Sequence, residues 1–238
     1  MADPDTPSDS TELFGKESNQ TQGCSCCGDT DDRFEYHTAK VRLQSEGELI
    51  ETTADTSALA VRLPDDVQGA LERFLHGGSV QTLGDWVDEV RERTGGGSIA
   101  IEDLCHEQEE TEHWGDIDGQ RYYFTCFFDA VVLAALTDER VELESESPEG
   151  TTIEATATNG GNLRVDPPGT LVSFGVATTE ALVPDDEPTR EDVYSSMCPV
   201  VKAFPSPQSY ERWSRTVPAA TVAMPLEDAT DIAAALAE

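Results

Sequence analysis

The apolar positions of this chain are densest in its middle, and the longest apolar run covers residues 122–136. Aromatic residues that favour strands precede Cys126, whereas alanine and leucine, which favour helices, follow it. The run lacks glycine and proline, so it predicts a strand that leads directly into a buried helix. Cys126 and Asp129 are three residues apart on that helix, which places the thiol and the carboxyl on one face near its N-terminus. The helix dipole favours a thiolate there.

Two short helices are predicted before this run. The first opens at residues 63–66 with proline and two acids and ends at Gly77, and the second covers residues 83–93 behind the capping residue Thr82. With the apolar segment 99–104 and a hairpin signal at residues 117–120, they predict a small winged-helix-like module. Its candidate recognition helix is acidic, so we expect the module to cover the following domain and not to bind DNA.

The second half of the chain predicts a sheet. Four segments rich in Val, Thr and Ile are separated by Gly-containing turns, which favours an antiparallel meander packed on the central helix; these segments are residues 140–147, 151–157, 162–165 and 170–176. Pro199 favours an extended conformation at Cys198. Ser206 then caps a short helix, residues 220–224 form a strand, and residues 226–236 form the last helix.

The predicted organisation is therefore α+β, an antiparallel sheet with flanking helices. We place a disordered acidic tail at residues 1–33, a winged-helix-like domain at residues 34–113 and the main domain at residues 114–238. The tail has almost no apolar residues to offset its ordering entropy. It contains Cys24, Cys26 and Cys27, a cluster suited to a soft metal, although a zinc clip or an accidental cluster would look the same.

Charge narrows the range of partners. The 238 residues include 48 acidic and 15 basic ones, which gives a formal net charge of -33. A field of this sign repels nucleic acid and anionic membranes, and its spread along the chain favours adaptation to a salt-rich cytoplasm. No signal peptide or membrane span is predicted, so we expect a cytoplasmic protein with reduced cysteines.

Several reactive residues also have an ordinary structural interpretation. Cys126 serves equally well as a small buried apolar residue, and Asp129 as a first-turn charge that complements the helix dipole. Cys105, His106 and His113 lie in an acidic connector, but their spacing does not match a closed zinc site.

The spaced reactive residues resemble the organomercurial lyases, also called alkylmercury lyases. The resemblance rests on Cys-x-x-Asp at residues 126–129 where a strand meets a helix, the strands that follow, and a second lone cysteine, Cys198, before Val-x-x-Phe-x-Ser and a Trp-containing helix. It covers roughly residues 114–236. Family members often carry an aromatic residue before the first cysteine and a further cysteine after the distant one, where this chain has Thr125 and Pro199.

The resemblance implies that Cys126, Asp129 and Cys198 are the catalytic residues. Two thiolates would bind the mercury of R-Hg⁺, and Asp129 would take up the proton that a thiol loses and deliver it to the departing carbon. Burial would help Asp129 hold that proton. The products are a hydrocarbon and Hg(II), which passes to thiols or to a mercuric reductase, and no organic cofactor is needed.

Two other classes of protein remain open at this stage. A thiol-based metal sensor or metallochaperone would use the same cysteines and the winged-helix-like module, but would release no hydrocarbon. Cys24, Cys26 and Cys27 are candidates for further mercury ligands in a lyase as well as in a sensor. A purely structural protein with inert cysteines would show no fast thiol titration in its native state.

Overall fold

The computed structural model describes residues 48–50, 57–93, 96, 99–158 and 162–238. Its elements belong to two antiparallel sheets and six α-helices within these ranges. The predicted tail and most of the segment before residue 57 lie outside the described residues, as does the cysteine cluster in the tail. No helix among the described residues is long and apolar enough to cross a membrane.

The larger sheet has six strands in the order β1-β3-β2-β4-β5-β6, and every neighbouring pair is antiparallel. The strands are β1 (His106–Glu107), β2 (Trp114–Ile117), β3 (Gln120–Phe124), β4 (Val141–Glu146), β5 (Thr152–Thr158) and β6 (Asn162–Asp166). Buried and exposed residues alternate along β4 and β5, so one face packs on the core and the other faces solvent.

The smaller sheet has three strands in the order β8-β7-β9. They are β7 (Leu171–Ala177), β8 (Ala203–Phe204) and β9 (Ala219–Pro225). The prediction that β7 continues the meander is wrong, because β7 pairs with β8 and β9 and not with β6. Every residue of β7 is buried, so this strand is covered on both faces, unlike the half-exposed strands of the larger sheet.

The six helices pack around and between these sheets. They are α1 (Asp65–Phe74), α2 (Leu83–Arg93), α3 (Phe127–Ala135), α4 (Arg190–Met197), α5 (Pro207–Ser214) and α6 (Thr230–Ala237). The apolar helix α3 contacts the larger sheet through β2, β3 and β4 and also contacts α6. Helix α2 packs on α6, and α1 and α4 pack on the smaller sheet. Buried residues of all these layers except α5 belong to one hydrophobic cluster.

The predicted helix starts are confirmed where capping signals specify them. Thr82 and Asp85 form reciprocal hydrogen bonds at the start of α2, with Asp85 N–H donating to Thr82 Oγ1 at 3.1 Å and Thr82 N–H donating to the Asp85 carboxylate at 2.9 Å. Ser206 Oγ accepts a hydrogen bond from Ser209 N–H at the start of α5. The capping residues therefore set these boundaries locally.

The predicted hairpin is also present, at residues 117–120. Asp118 and Gly119 both have positive φ angles, 51° and 85°, which is the geometry of a tight type I′ turn. The hairpin pairs with β4 in the larger sheet, whereas α1 and α2 pack elsewhere. The winged-helix arrangement and the domain limits at residues 34 and 113 stay predictions.

Candidate active site

Cys126 lies at the junction between β3 and α3. It is the N-cap residue of α3, with extended backbone angles, so the helix begins one residue later than the sequence predicts. The Cys126 side chain is 4% exposed, and Asp129 in the first helical turn is half-buried. Asp129 N–H donates to the Cys126 carbonyl at 3.2 Å, which fixes the backbone between the two residues. Both side chains therefore lie at the positive end of the helix dipole.

The junction is held by contacts on both sides. Thr125 N–H donates to the Cys105 carbonyl at 3.1 Å, and Thr125 Oγ1 donates to the Glu107 carboxylate at 2.6 Å. On β2, a Cβ atom added to Gly115 would come within 2.7 Å of the Leu133 side chain, so the glycine lets α3 lie close to the sheet. The Thr125 hydrogen bonds hold the start of α3, and the close approach at Gly115 brings the later part of the helix onto the sheet.

Cys198 reaches the site from a different element, at the end of α4. The prediction that it is extended is wrong, since its φ and ψ angles of -54° and -40° are helical. Its N–H still donates to the Tyr194 carbonyl, and a 3₁₀ turn (Cys198–Val200) follows with Pro199 in its first turn. Proline is tolerated there because its missing N–H needs no partner. The buried Ser173 hydroxyl of β7 donates to the Val200 carbonyl at 2.6 Å and anchors this turn.

One cavity brings the three predicted site residues together. Cys126, Asp129 and Cys198 all line it, and its volume is about 80 Å³. Most of the remaining wall is apolar, formed by Trp86, Val90, Ile99, Leu104, Phe128, Val132, Val193, Met197, Val201 and Leu236. Asp103 and Tyr194 are its other polar residues, and none of the described residues that line it is Lys or Arg. Two thiols in a mostly apolar cavity are suited to a soft cation, because thiolates are soft ligands.

Tyr194 is a site residue that the sequence analysis missed. It lies four residues before Cys198 and therefore on the same face of α4. Burial raises the pKa of Tyr194 to about 12, against the opposing effect of the Arg190 guanidinium, and the Cys105 thiol and Asp129 carboxylate add to the rise. Tyr194 is thus a neutral hydroxyl group in the cavity at physiological pH. The i, i+4 spacing from Cys198 would have indicated it if this segment had been interpreted as a helix.

The connector residues do not assemble into a metal site. Among the described residues there is no group of three or more His, Cys, Asp or Glu side chains that could hold a metal ion. His106 Nε2 lies 2.6 Å from the Ile101 carbonyl oxygen. His113 is buried, and its Nδ1 atom lies 2.9 Å from the Ser145 hydroxyl oxygen. These partners give both histidines structural roles.

The fold and cavity define an α+β protein with two thiols and a carboxyl in the wall of one mostly apolar cavity. A sequence model of the alkylmercury lyase (MerB) family matches residues 107–238, more than half of the chain. The chain belongs to the alkylmercury lyase family.

Two individual proteins show the degree of similarity. The chain is 31% identical over 121 residues to an alkylmercury lyase from Pseudomonas putida, a match that covers 50% of this chain and 52% of the relative. The chain thus spans about half the length of the curated relative that it matches. It is also similar to the crystal structure of the mercury-bound form of MerB2, with a TM-score of 0.44 and 18% identity over 74% of this chain and 91% of that one.

Proposed function

We propose that this protein is an organomercurial lyase that cleaves the carbon–mercury bond of R-Hg⁺ by protonolysis, in mercury detoxification. The observation that carries this proposal is the shared cavity of Cys126, Asp129 and Cys198 in a member of the family. The reaction consumes one proton: R-Hg⁺ and H⁺ give R-H and Hg²⁺. The electron pair of the broken bond stays on carbon and forms the new C–H bond.

Binding is the first step. Cys126 lies at the N-terminus of α3, and its thiolate would be a strong ligand for mercury. Cys198 supplies the second thiolate from the end of α4. Two thiolates neutralise the charge of the departing Hg(II) and raise electron density on the carbon. The acidic cavity, with Asp103 and Asp129 in its wall, favours entry of a cation.

Proton delivery is the second step. Asp129 takes up the proton that a cysteine loses on binding mercury and transfers it to the carbon. A sensor or metallochaperone needs the thiols but has no use for a proton carrier beside them. The presence of Asp129 in the cavity therefore favours a lyase over a protein that only binds the metal.

The product must leave as a thiol complex. Hg(II) bound by two thiolates departs most readily by exchange with other thiols. We infer that small-molecule thiols or a mercuric reductase receive it in the cytoplasm. The strongly negative chain makes nucleic acid an unfavourable partner.

Gas analysis tests the proposal directly. The purified full chain is incubated with methylmercury or phenylmercury and excess thiol in high salt, and methane or benzene is measured in the headspace. A lyase releases hydrocarbon in proportion to enzyme and time. Tight mercurial binding with no hydrocarbon above the protein-free rate would instead identify a sensor or metallochaperone.

A further inference from the structure

The size of the cavity limits what it can hold. Its volume is about 80 Å³. One water molecule in the liquid occupies about 30 Å³, and an apolar cavity of about 150 Å³ is known to hold one benzene molecule. The cavity is partly open to solvent. Its enclosed part therefore has room for the metal and a group of one or two carbons, whereas a phenyl ring would have to extend into the opening.

Part of the wall is built from aromatic rings that fix one another. Trp86 of α2 and Phe128 of α3 both line the cavity, and both meet Phe174 of β7 edge to face. The ring centroids are 5.6 Å apart for Trp86 and 5.0 Å apart for Phe128. Phe174 is 1% exposed in the centre of a fully buried strand. Neither ring can move outward without disturbing this packing.

We infer that this cavity selects organomercurials with a short alkyl group, methyl or ethyl, over those with an aryl group, and that Trp86 sets the size limit. The inference rests on the proposed function, because it concerns the organic group of the mercurial that the same cavity binds. Trp86 is the largest side chain in the wall and comes from a helix that carries none of the three reactive residues. It therefore affects fit without supplying a thiol or a proton.

Three variants separate size from other effects. Trp86→Leu enlarges the cavity at the aromatic wall. Ile99→Ala enlarges it at a half-buried position and serves as a second test should the first variant fold poorly. Trp86→Phe is the matched control: it keeps a ring to pack on Phe174 and removes an indole N–H that has no hydrogen-bond acceptor among the described residues.

The measurement is binding and does not depend on turnover. Each variant is made with Asp129→Asn, which keeps both thiols, and the affinities for methylmercury and phenylmercury are measured in competition with a fixed excess of small-molecule thiol. Because Trp86→Leu relieves overpacking around a phenyl ring, it should raise the affinity for phenylmercury relative to that for methylmercury by roughly 10- to 100-fold. Ile99→Ala should shift it in the same direction, and Trp86→Phe should leave it close to the parent ratio.

Different results would refute the size limit and the proposed lyase function. Equal affinity ratios in the parent, Trp86→Leu and Ile99→Ala would overturn the size limit, even if the wild-type protein releases hydrocarbon. A wild-type protein that releases hydrocarbon from neither compound would remove the proposed function. The ratios of affinities would still decide the size selection in that case.

Discussion

Protonation of the buried His113 should make the fold less stable in mild acid. The His113 side chain is 7% exposed, next to the Ser145 hydroxyl, and its ring centroid lies 6.5 Å from that of Phe127 at the start of α3. Burial lowers the pKa of His113 from 6.5 to about 4, with a smaller contribution from the positive charge of Lys202. The native state therefore stays neutral at this residue in a range where the unfolded chain becomes protonated.

The sign and size of the effect follow from this difference. Below pH 6.5 the unfolded state binds a proton that the native state does not, so the free energy of unfolding falls as the pH falls toward 4. A difference between 6.5 and about 4 corresponds to roughly 3 kcal/mol when both states have titrated. About 2 kcal/mol of this should already be lost at pH 5. Well above pH 6.5 His113 is neutral in both states, so its protonation no longer lowers the free energy of unfolding.

Denaturant unfolding at constant high salt measures this loss. The free energy of unfolding is determined at pH 7.5 and pH 5, above the isoelectric point of about 4.1, for the wild type and for His113→Asn. Asparagine keeps a polar group that can reach Ser145 but does not titrate in this range. The carboxylates titrate in both proteins, so the difference between their changes in the free energy of unfolding from pH 7.5 to pH 5 gives the effect of His113.

His113→Asn should lower stability at pH 7.5 but show a pH-dependent loss that is smaller by about 2 kcal/mol. The same change at the exposed His76 is the control for removing a histidine elsewhere in the chain. An equal loss in His113→Asn and the wild type would refute the reasoning, because His113 would then not be the group that titrates.

Four further changes address the chemistry. Cys126→Ser and Cys198→Ser should each abolish hydrocarbon release because a hydroxyl is too hard a ligand for mercury. Circular dichroism should show an intact fold, and at position 126 serine is a favourable N-cap for α3. Full activity in either variant would remove that cysteine from the mechanism. Asp129→Asn should still bind an organomercurial but release hydrocarbon on the order of 10²- to 10⁴-fold more slowly in single-turnover assays; unchanged turnover would show that the proton comes from another group. Deleting residues 1–33 removes Cys24, Cys26 and Cys27, and should leave the first turnover intact but slow later ones when small-molecule thiol is scarce, because the three cysteines would accept Hg(II) by exchange. Excess small-molecule thiol should restore the rate. Equal multiple-turnover rates for the truncated and full chains at limiting thiol would exclude the tail as acceptor.

The elements that the sequence predicts well are those with local signals. Thr82 and Ser206 specify helix starts through hydrogen bonds within one turn, and the Asp118-Gly119 pair specifies the hairpin. These interactions involve residues close in sequence, so their effect can be inferred without knowledge of the packing.

The elements that it predicts poorly depend on distant contacts. Local preference favours an extended Cys198 before Pro199, but the end of α4 and the buried turn after it hold Cys198 in a helical conformation. The lack of alternation in β7 was a sign of a strand buried on both faces, yet its partners β8 and β9 could not be identified from that pattern. Local preferences are weak compared with tertiary packing.

The candidate site shows the same division. Cys126 and Asp129 are close in sequence, so their proximity follows from one junction. Trp86 and Tyr194 come from separate helices and enter the cavity only through the packing of α2 and α4 around α3. A spaced-residue pattern identifies the candidate reactive groups, whereas the apolar wall that shapes the cavity is a product of the fold.

Methane release in D₂O tests the central claim most directly. The full chain, equilibrated in D₂O with thiol and high salt, is mixed with a substoichiometric amount of methylmercury, and the gas is analysed by mass spectrometry. Protonolysis by an exchangeable acid such as Asp129 predicts CH₃D, formed in a single turnover in equal amount to the total Hg(II), whether that Hg(II) is bound to the protein or to the added thiol. Formation of CH₄ would show that the hydrogen comes from a non-exchangeable C–H bond, and bound methylmercury without methane would show that the protein only binds it; either result would contradict the account.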